Sequence, residues 1–127
     1  MDKLALIGGA TLCFLAVAIG AFGSHALSDL LEANGRTSVY ELANRYQFYH
    51  GLALVLIGVL AQVFSISTKF VSMFMLFGTV VFCGSLYVLS ITNVGWLGAV
   101  TPLGGVFLLL AWAFLAWKLL GLSKQHV

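Results

Sequence analysis

From Leu4 to Phe22 the chain runs without one charged side chain, and the pattern recurs at Leu52–Phe64, at Phe70–Ile91 and from Pro102 to Trp117. A helix of about 20 residues, rising 1.5 Å per residue, covers the roughly 30 Å hydrocarbon core of a bilayer. In lipid every backbone N–H and C=O has to be bonded inside the segment, so such runs fold as spanning helices. Only 8% of the residues are charged, against about 25% in soluble domains. The mean hydropathy of +1.07 agrees. The expectation is a single all-α domain over residues 1–127, an integral membrane bundle with four spans near 4–23, 44–64, 70–91 and 102–120. A short amphipathic segment, about 26–43, should lie in the interface between the first two.

The first run has a rival reading as a cleaved leader, with Lys3 as its basic start and Ser24-His25-Ala26 as a small-x-small site. The run exceeds the usual apolar length of a leader, about 7–15 residues. It also carries small residues at helical spacing: Gly8, Ala16, Gly20 and Ser24 on one stripe, Ala5, Gly9 and Cys13 on the next. Small residues let helix backbones approach closely in lipid. After the run, Leu27, Leu30 and Leu31 fall on one side of a short helix, with Ser28, Asp29 and Glu32 on the other. Asn34-Gly35 should stop it, since glycine accepts the left-handed conformation of a helix C-terminus.

Ser38 and Glu41 have the spacing of a capping box, and Glu41 precedes Arg45 by one helical turn. Together these predict a second long helix starting near Val39 and running to about Phe64. The segment Trp96–Val100 reads as loop or as helix. Thr101-Pro102 favours a fresh helix start over a longer helix kinked at the proline. Cys13 and Cys83 lie inside apolar runs, where small packing residues are the expectation rather than a disulfide or a zinc site. Six basic residues spread along the chain, for a net charge of +2, supply no patch for nucleic acid. With four spans, Lys3, Lys69, Lys118 and Lys124 share one side, and Arg36 and Arg45 the other. That bias argues for cytoplasmic termini in a bacterial inner (plasma) membrane.

Four blocks cover nearly the whole chain: Gly20-Ala-Phe-Gly-Ser-His25-Ala-Leu27, Tyr46-Gln-Phe-Tyr-His50-Gly-Leu-Ala-Leu54, Phe82-Cys-Gly-Ser-Leu-Tyr87 and Gly98-Ala-Val-Thr-Pro-Leu-Gly-Gly105. In combination they resemble the family called domain of unknown function 423, or uncharacterised protein family 0382. That family takes in small bacterial inner-membrane proteins and the animal transmembrane protein 256. The resemblance implies a four-span membrane protein and brings no activity with it.

The four-span topology gathers His25, Arg45, Gln47, Tyr49, His50, Ser85, Tyr87 and Thr101 toward one half of the bundle. Unpaired polar groups in lipid cost several kcal/mol each, about the penalty for desolvation without a partner. Such groups therefore bond to one another or line a wet cavity, and ionisable ones are functional candidates. One reading makes the cluster a staple. Arg45 would pair with Glu41 and with carbonyls of Trp96–Val100, and Ser85 would bond back to the Val81 carbonyl. Tyr46, Tyr49, Tyr87 and Trp96 would anchor at the interface. The protein would then be structural, or would act through partners.

The alternative is a small-molecule or lipid binding or transport protein, with Arg45, His25 and His50 lining the site. A wide pocket holding Arg45 would favour that alternative, and a tightly paired Arg45 the staple. Haem or quinone on His25 and His50 is disfavoured, because both sit near one interface beside an arginine. No catalytic motif occurs in the sequence. Neither a cofactor nor a metal is expected, and the partners expected are membrane lipids and a second copy of the chain. His126 falls in the polar tail, with no role assigned.

Overall fold

The computed structural model describes residues 2–125, with side chains as far as Leu122. His126 and the side chain of Lys124 lie outside the described residues. Five α-helices follow one another: α1 (Lys3–His25), α2 (Ser28–Asn34), α3 (Thr37–Phe64), α4 (Lys69–Thr92) and α5 (Thr101–Gln125). A single 3₁₀ turn, Gly95–Ala99, leads into α5. The helices α1, α3 and α4 and the stretch Gly95–Leu122 are each long and apolar enough to cross a membrane. The chain is thus an all-α, four-helix integral membrane bundle.

The long helices pack in the order α1, α3, α4, α5, each antiparallel to the one before, and α1 also touches α4. Small residues set the spacing. Gly9 of α1 lies against Gly51 of α3, so that a Cβ built on Gly9 would stand 2.6 Å from the Gly51 carbonyl oxygen. Gly78 and Gly104 meet in the same way between α4 and α5. The buried core near the middle is aliphatic, with Ala5, Leu54, Ile57, Val71, Met75 and Ala111. A second cluster holds Ala43, Cys83, Leu86 and Leu89 toward the α2 end. Outward-facing Ile7, Phe14, Val63, Phe70 and Leu109 form the apolar surface that acyl chains cover.

Several local expectations need correction. The helix α3 starts at Thr37, not near Val39, and its N-terminus has no side-chain cap. The Ser38–Glu41 capping box does not form, because Ser38 already lies inside the first turn. The chain turns instead at Gly35, whose φ of 66° is the left-handed stop expected after Asn34. Arg36 is then free to donate from Nε to Asn93 Oδ1 (3.0 Å), and Asn34 Nδ2 donates to the Ser90 and Ile91 carbonyls (both 3.1 Å). The short helix α2 therefore closes the end of α4, where the last carbonyls lack helical partners. Leu31 anchors α2 by full burial, whereas Leu30 is exposed.

Trp96–Val100 is helical, not a loop: it leads into α5 as a 3₁₀ run, and the two together make one spanning stretch. Hydrogen bonds from Leu97 N to Val94 O (3.2 Å), Val100 N to Leu97 O (3.0 Å) and Leu103 N to Val100 O (3.1 Å) wind it as 3₁₀ turns. Pro102 falls in the first turn of α5, where an N–H would have no acceptor within the helix.

At the opposite end Asp2 caps α1 through the Ala5 amide (3.0 Å) and accepts from Thr68 Oγ1 (2.6 Å) and Ser72 Oγ (2.5 Å) at the start of α4. Burial pushes the Asp2 carboxyl up, but the hydrogen bonds from Ser72, Thr68 and the Ala5 amide outweigh it and hold the pKa below its usual 3.8. A depressed carboxylate contributes stability that is complete above its unfolded pKa and is lost as pH falls through the folded one. Asp2→Ala should therefore cost about 1–2 kcal/mol at pH 7, from a lost cap and two orphaned hydroxyls. Denaturant titration in micelles should show that difference from the parent shrinking below about pH 4, the window set by this downward shift.

Candidate functional site

The polar residues of α3 form a stripe at positions 40, 44 and 47, a spacing that keeps them on one face of a helix. That face meets α1. Tyr40 Oη donates to the Ile19 carbonyl (2.6 Å), Asn44 Nδ2 to the Ala16 carbonyl (2.7 Å) and Gln47 Nε2 to the Leu12 carbonyl (3.0 Å). Each acceptor lies one turn, or nearly so, further down antiparallel α1. The ladder needs the backbone of α1 laid open, and glycine provides it. Gly23 sits under the Tyr40 ring, and a Cβ built on Gly20 would stand 2.8 Å from Asn44 Oδ1.

From the far side, α4 completes the ladder. Tyr87 Oη donates to Gln47 Oε1 (2.6 Å) and accepts from Asn44 Nδ2 (3.2 Å). The Tyr40 and Tyr87 rings meet edge to face at 5.1 Å. Gln47, 4% exposed, thus joins three helices at once. Tyr87 is half-buried inside this network, not an interfacial anchor.

Two further pairs stand apart from the ladder. Ser85 Oγ and Thr101 Oγ1 are 2.7 Å apart and fasten the start of α5 to α4. Ser85 also bonds back to the Phe82 carbonyl (2.9 Å), one residue beyond the expected Val81. His50 is buried, with Nδ1 2.8 Å from the Tyr46 carbonyl and Nε2 3.1 Å from Trp112 Nε1 on α5. Indole can only donate. Nε2 is therefore the acceptor and Nδ1 carries the proton that the Tyr46 carbonyl receives: a neutral imidazole with both nitrogens engaged.

His25, Arg45 and Tyr49 take no part in these networks, and all three are exposed. Arg45 meets neither Glu41 nor the Trp96–Val100 segment. Among the described residues it has no hydrogen-bond or ion-pair partner. It lines, with Glu41 and Glu32, a cleft of about 530 Å³ bounded by the last turns of α1, by α2 and by the first turns of α3. Ser24, Ser28, Thr37, Tyr40 and Asn44 supply the rest of its polar wall. A second, smaller groove of about 270 Å³ shares Asn44 and Arg45 with the cleft and is otherwise lined by Ala16 and Val17 of α1 and Phe48 and Tyr49 of α3. A larger hollow, about 740 Å³, lies at the other end around Asp2 and the Ser65–Lys69 connection and holds none of the candidate residues.

Of the eight candidates, Gln47, Tyr87, Ser85, Thr101 and His50 fall in three buried networks, Arg45 lines the open cleft, Tyr49 lines the smaller groove, and exposed His25 belongs to none of these. His25 and His50 are not brought together. Among the described residues no group of three or more His, Cys, Asp or Glu side chains could hold a metal. Sequence reasoning missed Tyr40, Asn44 and Trp112. For Asn44 a signal existed, because Tyr40, Asn44, Gln47 and Gly51 repeat at intervals of four, three and four opposite the small residues of α1.

Comparison with known proteins agrees with this architecture. The profile of a family described as protein of unknown function (DUF423) matches residues 19–105. A UPF0382 membrane protein of Staphylococcus saprophyticus is 43% identical over 113 residues, spanning 89% of this chain and 93% of the relative. One of Staphylococcus epidermidis is 43% identical, over 89% and 92%. One of Staphylococcus haemolyticus is 42% identical over the same shares. No solved structure matches.

Proposed function

The chain belongs to the DUF423 family, and on that premise we propose that it is a non-catalytic protein of the bacterial plasma membrane whose buried polar cluster serves helix packing. The observation that carries the reading is complete pairing. Among the described residues no buried side-chain nitrogen or oxygen lacks a hydrogen-bond partner. A reaction site keeps a donor, acceptor or nucleophile available for its substrate. Here Gln47, Tyr87, Ser85, Thr101 and His50 spend theirs on one another, on backbone and on Trp112. Both termini face the cytoplasm in this reading. It is supported by Lys3, Lys69 and Lys118 at one end of the bundle and Arg36 and Arg45 at the other.

Ser85 and Thr101 supply the test. Removing either hydroxyl breaks the bond between α4 and α5, at about 0.5–1.5 kcal/mol, and leaves its partner only a backbone carbonyl, Phe82 for Ser85 and Leu97 for Thr101. Ser85→Ala and Thr101→Val should each lower the unfolding midpoint in micelles, and the double variant should lower it by little more than one of them, because the same bond is lost once. If either single variant keeps the parental midpoint, the pair does not fasten the helices and the packing role fails for it.

A second reading, ligand binding, is favoured by one specific observation: the unpaired Arg45 in an open cleft. It excludes His50, which does not line that cleft, and so narrows the site to the α1–α2–α3 corner.

A further inference from the structure

We propose that the corner cleft holds the headgroup of a zwitterionic phospholipid, its phosphate on Arg45 and its ammonium toward Glu32 and Glu41, with an acyl chain in the adjoining groove. This rests on the ligand-binding reading, not on the packing role of the buried cluster. Three observations carry it.

The first is position. The cleft is framed by α2 and by the helix ends beside it, at the level where the bundle leaves the bilayer core and headgroups lie. The second is the change of chemistry between the cleft and the groove that shares its Asn44–Arg45 wall. The cleft is lined by hydroxyls, carboxylates and a guanidinium, and the groove by Ala16, Val17, Phe48 and Tyr49. Asn44 and Arg45 belong to both, so the guanidinium stands where the polar wall gives way to the apolar one. In a phospholipid that junction is the phosphate, and guanidinium suits phosphate through paired donors.

The third is charge. Two carboxylates and one guanidinium face the cleft, and Asn44 and Tyr40 already spend their donors on α1. A purely anionic headgroup would face a net negative wall. One that carries a cation beyond its phosphate would match Arg45 and the acids together. The exposed Val17, Phe48 and Tyr49 would give one acyl chain a seat that other lipids of the annulus lack.

Native mass spectrometry of the purified full-length chain, released from nanodiscs of equimolar phosphatidylethanolamine and phosphatidylglycerol, tests this. The parent should retain one phosphatidylethanolamine in preference to phosphatidylglycerol. Arg45→Gln should retain it about tenfold less, the loss expected of one charge-assisted contact. Glu32→Gln combined with Glu41→Gln should shift retention toward phosphatidylglycerol. Arg45, Glu32 and Glu41 are exposed, so unfolding midpoints should stay at the parental value and separate lost binding from lost fold. A parent that retains neither lipid, or both equally, overturns the proposal, as does undiminished retention by a folded Arg45→Gln chain. The Ser85 and Thr101 result is independent of all of these, so failure here leaves the packing role standing.

Discussion

A Gly9→Val chain should fail to assemble α1 on α3. A Cβ at Gly9 would lie 2.6 Å from the Gly51 carbonyl oxygen, 2.8 Å from the Val55 nitrogen and 2.9 Å from Leu54 Cβ. Two of these three are backbone atoms, and a backbone in mid-helix cannot rotate aside as a side chain can. The helices would have to separate. Separation by even an ångström lengthens the bonds from Tyr40, Asn44 and Gln47 to α1, now between 2.6 and 3.0 Å. Overpacking alone costs about 1–3 kcal/mol, and stretching the ladder adds to it, so the total should reach about 3 kcal/mol or more. Gly84 is the control, because a Cβ there meets nothing within 4 Å. Gly84→Ala should stay within about 0.5 kcal/mol of the parent. Unfolding in mixed micelles, followed by far-UV circular dichroism, reads both. Parental stability in Gly9→Val would mean that α1 and α3 do not approach this closely.

The same glycine shows where the sequence was readable and where it was not. Spans could be read because lipid demands long uncharged runs, and Lys3, Lys69 and Lys118 mark their ends. The inward face of α1 could not. In water a polar side tells a helix which way to turn, but α1 is apolar all round and its two stripes of small residues look alike. The structure uses parts of both: Ala5, Gly9 and Ala16 are buried with Leu12 and Gly23, while Ser24 is exposed and Gly8 meets only the Leu76 side chain. Only the partner decides between them, and the partner is the polar stripe of α3. A similar blindness affected Arg45 and Asn44. Charge drew attention to Arg45, which has no hydrogen-bond or ion-pair partner among the described residues, whereas the neutral Asn44 carries two of the contacts that join α3 to its neighbours. The capping box failed for a different reason. Its two residues fit a local pattern, but the chain turns at Gly35 and α3 begins at Thr37, with Arg36 bonded to Asn93 just past α4, so that Ser38 is already inside the first turn.

Gln47→Leu should be markedly destabilising although it neither adds bulk nor opens a cavity. The side-chain volume is nearly kept, so the loss measures hydrogen bonding rather than a cavity. Two bonds go together. The Leu12 carbonyl gives up its second donor but retains its helical one, a small cost. The Tyr87 hydroxyl gives up its only acceptor, at 2.6 Å, in a place where no other is offered. Asn44 Nδ2, 3.2 Å away, is a donor and cannot take the phenolic proton. An orphaned buried hydroxyl costs about 1–3 kcal/mol. Tyr87→Phe removes the other partner, strands Gln47 Oε1 and should cost a similar amount.

With both changes neither group is stranded, so the double variant should be more stable than the sum of the single losses predicts. Coupling across helices in membrane proteins averages about 0.6 kcal/mol and reaches about 1.7. This pair should fall in the upper part of that range, because the bond is short and the surroundings are protein rather than lipid. Strict additivity in the cycle would mean that the Gln47–Tyr87 bond adds nothing to the contacts that hold α3 to α4. The bond would then be a consequence of the helices' close approach and not one of its causes.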